Sequence, residues 1–264
     1  MAVETEEIRK AVLDVIATIA PETDPQRIRP DQPLRRQVDL DSMDWLNVVA
    51  GLQQRLSIAS PDADAGRLTT LDAIVAYLSS RQASGAAPAP GAGAGELPVT
   101  RQTVGDEPVT VRPIRPADLP LEADFVRHLS SESRYQRFLV TVSELSDRKL
   151  HYFTEVDQLG HVALAATVAR DDGEAIVGVA RYIVEPAGTS CEFAIAIDDH
   201  WQRSGLAGIL MHELIAVARA RGLASMQGTV LAANTRMLKF VRQLGFRQRR
   251  DPDDRDTVRV ERRL

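Results

Sequence analysis

The sequence predicts two domains of different fold class: an all-α helical bundle, then an α+β domain with a mixed, mostly antiparallel sheet. Residues 83–95 are rich in Ala, Pro and Gly and hold neither a charge nor a large apolar residue, so they cannot bury a core. Apolar residues before this stretch recur at helical spacing. Apolar runs after it are separated by turn signals. We therefore place the domains at residues 1–82 and 107–264, with a linker at 83–106.

Composition limits the classes of protein to consider. The chain has 264 residues, of which 44% are hydrophobic and 26% charged, as in ordinary globular proteins. We expect no membrane span, because no apolar run approaches the roughly 18 residues that one needs. Cys191 is the single cysteine, which excludes a disulfide framework and favours a cytoplasmic location. The histidines lack metal-ligand spacing, so we expect no metal site.

Charge is distributed unevenly between the two predicted domains. The formal net charge is −5, and residues 1–82 hold 13 Asp and Glu against 9 Lys and Arg. Residues 107–264 hold 22 of each sign. Because neither domain has a basic excess, we expect no nucleic-acid partner.

The first domain is predicted to contain three main helices. The first helix has an apolar face that includes Ile8, Val12 and Ile16, and it ends at Pro21. A long loop with several prolines leads to a second helix that begins near Ser42. Thr69 or Thr70 is expected to cap the third helix, because a threonine hydroxyl can accept from the free N–H groups there.

The second domain is predicted to alternate strands and helices. The turn at residues 171–173 joins two apolar strands into a hairpin, and a strand–helix–strand crossover follows it. The predicted elements are the strands 109–113, 161–170, 175–185, 191–198 and 226–231, a helical region from Ala117, helices at 205–221 and from Asn234 to Gly245, and a final hairpin across 251–256.

The first candidate site is Ser42 in the segment Asp39-Leu40-Asp41-Ser42-Met43-Asp44. A hydroxyl ahead of the first helical turn is exposed, and the free N–H groups and helix dipole would stabilise a phosphodiester on it. A plain N-cap role is the alternative.

An acidic bundle with this motif at the head of its second helix resembles an acyl carrier protein, over residues 4–82. The resemblance implies that Ser42 carries a 4′-phosphopantetheine arm whose thiol holds an acyl group. It also implies a phosphopantetheinyl transferase as a partner. Beyond Asp44 the second helix departs from the family, because it is nearly free of carboxylates and carries Arg55.

The second candidate site is the segment Gln202-Arg203-Ser204-Gly205-Leu206-Ala207-Gly208, which follows an apolar strand and opens a helix. Gly205, Ala207 and Gly208 let an anion approach the main chain, whose first helical N–H groups can donate to it. Arg203 adds a positive charge. An ordinary strand–turn–helix junction is the alternative.

The third candidate is Glu192, which lies in an apolar strand. Side chains alternate along a strand, so Cys191 and Phe193 should face the core while Glu192, Ala194 and Ala196 share the other face. The two alanines leave space above the strand. A partly buried carboxylate there could take a proton from an attacking amine; a solvent-facing glutamate is the alternative.

The second domain resembles the GNAT superfamily of acyl-CoA N-acyltransferases. The residues that carry the resemblance are the Q/R-x-x-G-x-G/A pattern at 202–207 and the Asn-started segment 234–246 that ends in Gly-Phe. It implies that residues 203–208 hold the pyrophosphate of CoA or the phosphate of a pantetheine arm. Asn234 would contact the pantetheine or shape its slot; its ordinary role is an N-cap, and both roles can hold at once. A main-chain N–H in the stretch Ala194–Ile195–Ala196 would polarise the thioester carbonyl.

Within this superfamily the segments 129–138 and 155–164 are similar to bacterial protein-lysine acetyltransferases, in which a glutamate at the position of Glu192 acts as base. Many GNAT enzymes have a tyrosine general acid where this chain has Phe240. Tyr152 and Tyr182 are other donors, although packing roles suit them better.

The expected function is therefore transfer of an acyl group, first of all acetyl, from a thioester to an amine. The donor is acetyl-CoA, another acyl-CoA or the Ser42 arm, and the acceptor is a protein lysine or a small amine. Two alternatives stay open. In one, the Ser42 arm presents acyl groups to other enzymes while the second domain only binds CoA. In the other, the unmodified bundle regulates an acetyltransferase.

Overall fold

The computed structural model describes residues 2–20, 23–34, 37–38, 48, 52, 70–81, 97–139, 144–171, 173–185, 188–250 and 255–264. The chain divides into two compact units, one of residues 1–89 and 185–188 and one of residues 90–184 and 189–264. Ser42, most of the helix predicted to follow it and the linker stretch 83–95 lie outside the described residues.

The first unit is helical, as predicted. Helix α1 spans Ala2–Ile19 and helix α2 spans Leu71–Arg81. Their apolar faces share one core, which also includes Val48 and Leu52 from the predicted second helix. Thr70 is the cap of α2, because its Oγ1 accepts from the N–H of Ala73 at 3.1 Å.

The second unit combines five helices with an eight-stranded sheet of order β1-β2-β3-β4-β5-β6-β8-β7. Its mixed sheet is antiparallel except between β5 and β6, which are parallel. Among the described helices, none is long and apolar enough to cross a bilayer. The elements are β1 Thr100–Val104, β2 Glu107–Pro113, α3 Leu119–His128, α4 Ser131–Phe138, α5 Asp147–Thr154, β3 His161–Arg170, β4 Gly173–Val184, β5 Ser190–Ile197, α6 Leu206–Ala220, β6 Ser225–Leu231, α7 Thr235–Gln243, β7 Arg247–Arg250 and β8 Thr257–Arg263.

The structure corrects the end of the predicted linker, which was placed at residue 106. Residues 97–106 were assigned to the linker, but they contain β1, which pairs antiparallel with β2. Leu97 and Val104 are 9% and 7% exposed and belong to the core of the second unit. The polar sequence of β1, TRQTV, carries little strand signal of its own, and pairing with β2 supplies the order.

The sheet separates two apolar clusters. Helices α6 and α7 contribute Leu210, Leu214 and Val241 to the cluster on one face. Helices α3 to α5 contribute Phe125, Phe138 and Phe153 to the other cluster. We call these the α6 face and the α4 face.

The predicted alternation along β5 is present. Cys191 and Phe193 are buried in the cluster of the α6 face, whereas Ala196 packs against that of the α4 face. Glu192 has the same parity as Ala196, so its side chain is on the α4 face.

Strands β5 and β6 part soon after they begin to pair. Their register joins only Ser190–Glu192 with Ser225–Gln227. Beyond this point β5 continues to Ile197 and β6 to Leu231. Within the described part of the chain, the main chain of residues 193–197 therefore has no strand partner on the β6 side, and a cleft opens at Glu192.

The ring of Phe193 on β5 packs closely against Gly228 on β6. We expect Gly228→Ala to lower the free energy of unfolding by about 1–3 kcal/mol. A Cβ there would lie 2.7 Å from Cε1 and 3.0 Å from Cζ of Phe193, so the ring must shift. Gly160→Ala is the matched control, because its nearest contact is an ordinary 3.4 Å. Denaturant unfolding of both variants measures the effect, and equal values would show that the ring relocates freely.

Candidate active site

Glu192 lies at the point where β5 and β6 part. Its side chain is buried, with 6% of its surface exposed. Thr229 on β6 donates its hydroxyl to Glu192 Oε1 at 3.2 Å. This hydrogen bond fixes the carboxylate at the head of the cleft, so the solvent-facing alternative does not describe it.

The stretch Ala194–Ile195–Ala196 lines the start of the cleft. These residues are partly exposed, unlike the buried residues before them in β5. On the other side they pair with β4, where Arg181 lies opposite Ala194 and Val179 opposite Ala196. Small side chains and unpaired main-chain groups together suit a ligand that runs along the strand.

The segment 202–208 forms the turn before α6 that is predicted to bind an anion, and we call it the cradle. Arg203 has a φ of 66° and Gly205 a φ of 95°, so two left-handed residues interrupt the turn before α6. Successive N–H groups in such a turn converge as a nest. The N–H groups of Arg203, Gly205 and Ala207 have no acceptor in the described part of the chain.

Ser204, Leu206 and Gly208 also make contacts that shape the turn. Ser204 Oγ donates to the carbonyl of Trp201 at 2.7 Å and accepts from the N–H of Leu206 at 3.3 Å. The Leu206 side chain is fully buried in the core. The N–H of Gly208 donates to the carbonyl of Gly205 at 2.9 Å. Of the predicted phosphate contacts, those of Leu206 and Gly208 are therefore already used within the turn.

A surface cavity of about 410 Å³ adjoins the cradle, lined by Gln102, Gly205, Gly208, Ile209, His212 and Glu213. A Cβ built on Gly205 or Gly208 meets no atom within 4 Å. The main chain at the start of α6 is therefore open to a ligand.

Asp199 connects the cradle to helix α4. Its Oδ1 accepts from Ser133 Oγ at 2.7 Å and from Ser130 Oγ at 3.0 Å, and its Oδ2 accepts from the N–H of Ser130 at 2.8 Å. Burial would raise the pKa of Asp199, but the hydrogen bonds from Ser130 and Ser133 outweigh it and hold the pKa below its ordinary value. The N-terminus of α4 is thus fixed to the end of β5.

Gln202 and Asn234 both form hydrogen bonds with protein groups, and their predicted contacts with the cofactor stay a prediction. Gln202 Nε2 donates to Ser133 Oγ at 3.0 Å and to Asp199 Oδ1 at 3.1 Å, while its Oε1 accepts from Arg236. Asn234 Oδ1 accepts from the N–H of Met237 at 2.9 Å as the N-cap of α7.

Asn234 also donates through Nδ2 to Gln136 Oε1 on α4 at 3.0 Å. Since Asp199 follows β5 and Asn234 follows β6, helix α4 bridges the ends of the two diverging strands. These side chains fix the width of the cleft. Sequence reasoning missed the bridge, because its bonds join residues 66 to 98 positions apart.

A buried ion pair beside the site was also missed. Arg181 Nη2 lies 3.0 Å from Glu122 Oε1, and both side chains are at most 4% exposed. Burial raises the pKa of Glu122 despite the opposing effect of Arg181. Burial and then Arg181 lower the pKa of His161. The sequence signal that could have indicated this ion pair is Arg181 itself, because it lies within the apolar run of β4 and a buried arginine needs a partner.

The aromatic candidates for a general acid have packing roles. Tyr182 is buried on the α6 face, opposite to that of Glu192, and burial raises its pKa to about 12. Tyr152 packs against the rings of Phe153 and His161. Phe240 packs against the cluster of the α6 face.

Comparison with known proteins agrees with this geometry. The acetyltransferase (GNAT) family matches residues 125–246. Acetyltransferase PA5475 of Pseudomonas aeruginosa is 37% identical over 150 residues, which are 57% of this chain and 81% of that protein. The crystal structure of the GNAT domain of S. lividans PAT is 31% identical, with a TM-score of 0.58, covering 63% of this chain and 97% of that one.

The first unit matches a different family, described as a phosphopantetheine attachment site, over residues 10–78. A putative mitochondrial acyl carrier protein of Schizosaccharomyces pombe is 29% identical over 69 residues, which are 26% of this chain and 62% of that protein. Domains of this family carry 4′-phosphopantetheine on a serine. The chain is therefore a member of the GNAT acetyltransferase family, and its residues 10–78 match the phosphopantetheine-attachment family.

Proposed function

We propose that the second domain transfers an acyl group, acetyl in the first instance, from a pantetheine thioester to an amine. The observation that carries the proposal is the position of Glu192, a buried carboxylate held by Thr229 where β5 and β6 part. The cradle follows the other end of β5, just before α6. The candidate base and the candidate phosphate site therefore lie toward opposite ends of one strand.

Each part of the site has a separate task. The N–H groups of Arg203, Gly205 and Ala207 would bind a phosphate group, of CoA or of the arm. A main-chain N–H of residues 194–196 would donate to the thioester carbonyl oxygen. The bound thioester supplies an activated acyl carbon, whose C–S bond breaks as the C–N bond to the amine forms. Glu192 takes the proton that the attacking nitrogen loses, and solvent protonates the departing sulfur.

The first domain would supply acyl groups on an arm at Ser42. Its family is one of phosphopantetheine attachment, and the predicted boundaries are residues 1–82 with a tether at 83–95. Joining a carrier to an acyltransferase in one chain raises the effective concentration of the thioester at the cleft. Free acetyl-CoA remains the alternative donor. A cytoplasmic location and a phosphopantetheinyl transferase partner belong to this proposal.

Gly205→Ala tests the phosphate cradle. Gly205 has a φ of 95° and open space around an added Cβ, so the change forces the turn out of its left-handed geometry at a cost of about 1–2 kcal/mol. We expect the Kd for acetyl-CoA to rise about tenfold or more, since the nest of N–H groups is then lost. Calorimetric titration with acetyl-CoA measures this.

Gly222→Ala is the matched control for the cradle. It also has a positive φ, of 76°, and open space around an added Cβ, but it follows the C-terminal end of α6. It should lower the unfolding temperature like Gly205→Ala and leave the Kd unchanged. An equal Kd in the two variants would contradict the cradle assignment.

A further inference from the structure

The α4 face of the sheet continues past the cleft onto β6, β8 and β7. Thr229, the residue that donates to Glu192, lies directly opposite Arg259 on β8. Arg259 lies directly opposite Arg249 on β7. Residues directly opposite each other in a sheet point to the same face, so a row of side chains leads from Glu192 to the two arginines.

This row is strongly basic. Arg247 and Arg263 share the face with Arg249 and Arg259, and the four side chains are exposed. Among the described residues of these two strands, Glu261 is the carboxylate on this face. We call these four arginines the arginine face.

The pair Arg249 and Arg259 is unfavourable for the fold alone. Like charges directly opposite each other in a sheet are destabilising. Neither guanidinium forms an ion pair within the described part of the chain, whereas Arg112 and Arg181 of the same domain do. This like-charge pair, on the row that leads to Glu192, suits an anionic ligand.

The helices leave the arginine face accessible. On this side of the sheet α3 packs on β4 and α4 on β5, while the α4-face positions of β6, β7 and β8 are partly or fully exposed. An acceptor could therefore lie across these strands with its amine directed at Glu192.

We infer that the acceptor is a lysine of a protein segment with acidic neighbours, whose carboxylates bind the arginine face; this rests on the proposed function. Along β8 alone, Arg259 and Arg263 are about 13 Å apart, at roughly 3.3 Å per residue. A small amine with a single carboxylate would pair with only one of the four guanidinium groups. A lysine also has a four-carbon stem, which lets its amine reach buried Glu192 while its backbone stays at the surface.

The test uses two peptides with acetyl-CoA as donor. Both contain one lysine, flanked by Asp and Glu in the first and by Asn and Gln in the second. For the acidic peptide we expect Arg249→Gln and Arg259→Gln each to raise KM about threefold, and the double variant about tenfold, as exposed ion pairs typically contribute. The KM for the neutral peptide and for acetyl-CoA should stay unchanged.

Arg101→Gln is the matched control, because Arg101 is an exposed arginine of β1, at the opposite edge of the sheet. It should change no KM value. The Arg259→Gln variant should unfold at or above the temperature of the parent protein, since a like-charge pair is removed; this separates lost binding from lost folding.

Three results would overturn the inference. They are equal KM values for the two peptides in the parent protein, equal effects of Arg101→Gln and Arg259→Gln, and a small acidic amine such as glutamate that is acetylated as efficiently as the acidic peptide. A non-reactive acidic peptide with norleucine in place of lysine gives a binding readout that needs no turnover. If no amine is acetylated at all, the proposed function fails. Binding of the norleucine peptide that depends on Arg249 and Arg259 would still support the arginine face as a binding site for an acidic segment.

Discussion

Replacing Glu192 by glutamine is expected to lower kcat for acetyl transfer by about 10²- to 10⁴-fold, the usual contribution of a positioned general base. Glutamine has the same shape and can still accept from Thr229, whose hydroxyl lies 3.2 Å from the carboxylate. It cannot take a proton from the attacking amine. The binding of acetyl-CoA should stay within about twofold, because Glu192 is at the other end of β5 from the cradle.

Steady-state kinetics with a panel of amines measures this effect, and calorimetry measures acetyl-CoA binding in the same variant. Glu144→Gln is the matched control, since Glu144 is an exposed glutamate of the same domain. It should leave kcat unchanged. Unchanged kcat in Glu192→Gln would remove this residue from the mechanism, and a lowered unfolding temperature would mean that the fold, not the base, had been altered.

Replacing Ser42 by alanine is expected to abolish covalent modification of the first domain completely. After coexpression with a phosphopantetheinyl transferase, the parent protein should gain the mass of one 4′-phosphopantetheine group and the variant none. Intact-protein mass spectrometry reads this directly. The reason is chemical, because the phosphodiester forms on the serine hydroxyl oxygen, which alanine lacks.

Two further variants separate attachment from helix capping. Ser42→Asp keeps a side chain that caps a helix well but has no hydroxyl, so it should be as unmodified as Ser42→Ala while retaining stability. Ser60→Ala keeps Ser42 and should gain the full mass. An unmodified parent protein, together with a loss of about 1 kcal/mol in Ser42→Ala only, would establish that Ser42 is simply an N-cap.

The dependence of the reaction rate on protein concentration tests whether the arm donates its acyl group to the second domain of its own chain. If the arm serves the second domain of its own chain, acyl transfer from a loaded arm should be independent of protein concentration, because the reaction is intramolecular. Transfer that rises in proportion to concentration would show that carrier and cleft meet between molecules.

Local patterns predicted much of the second domain. Period-two alternation along residues 191–197 placed Glu192 on the face opposite to Cys191 and Phe193, and the glycines at 205 and 208 marked the turn before α6. These features depend on residues within a few positions of each other. The strand β1 was missed for the converse reason, since its polar sequence orders only against β2.

Apart from β1, the sequence by itself determined the order of the strands, the resemblance to two families and the residue types that could serve as base, cradle and arm, because periodicity and turn chemistry act over a few residues. The tertiary structure decided which of these side chains face the cleft. It tied Gln202 and Asn234 to α4 and placed Thr229 against Glu192. It also set Arg259 opposite Arg249 at the end of the same row. Such contacts join distant parts of the chain, and their geometry follows from strand register and helix packing, which no local pattern specifies.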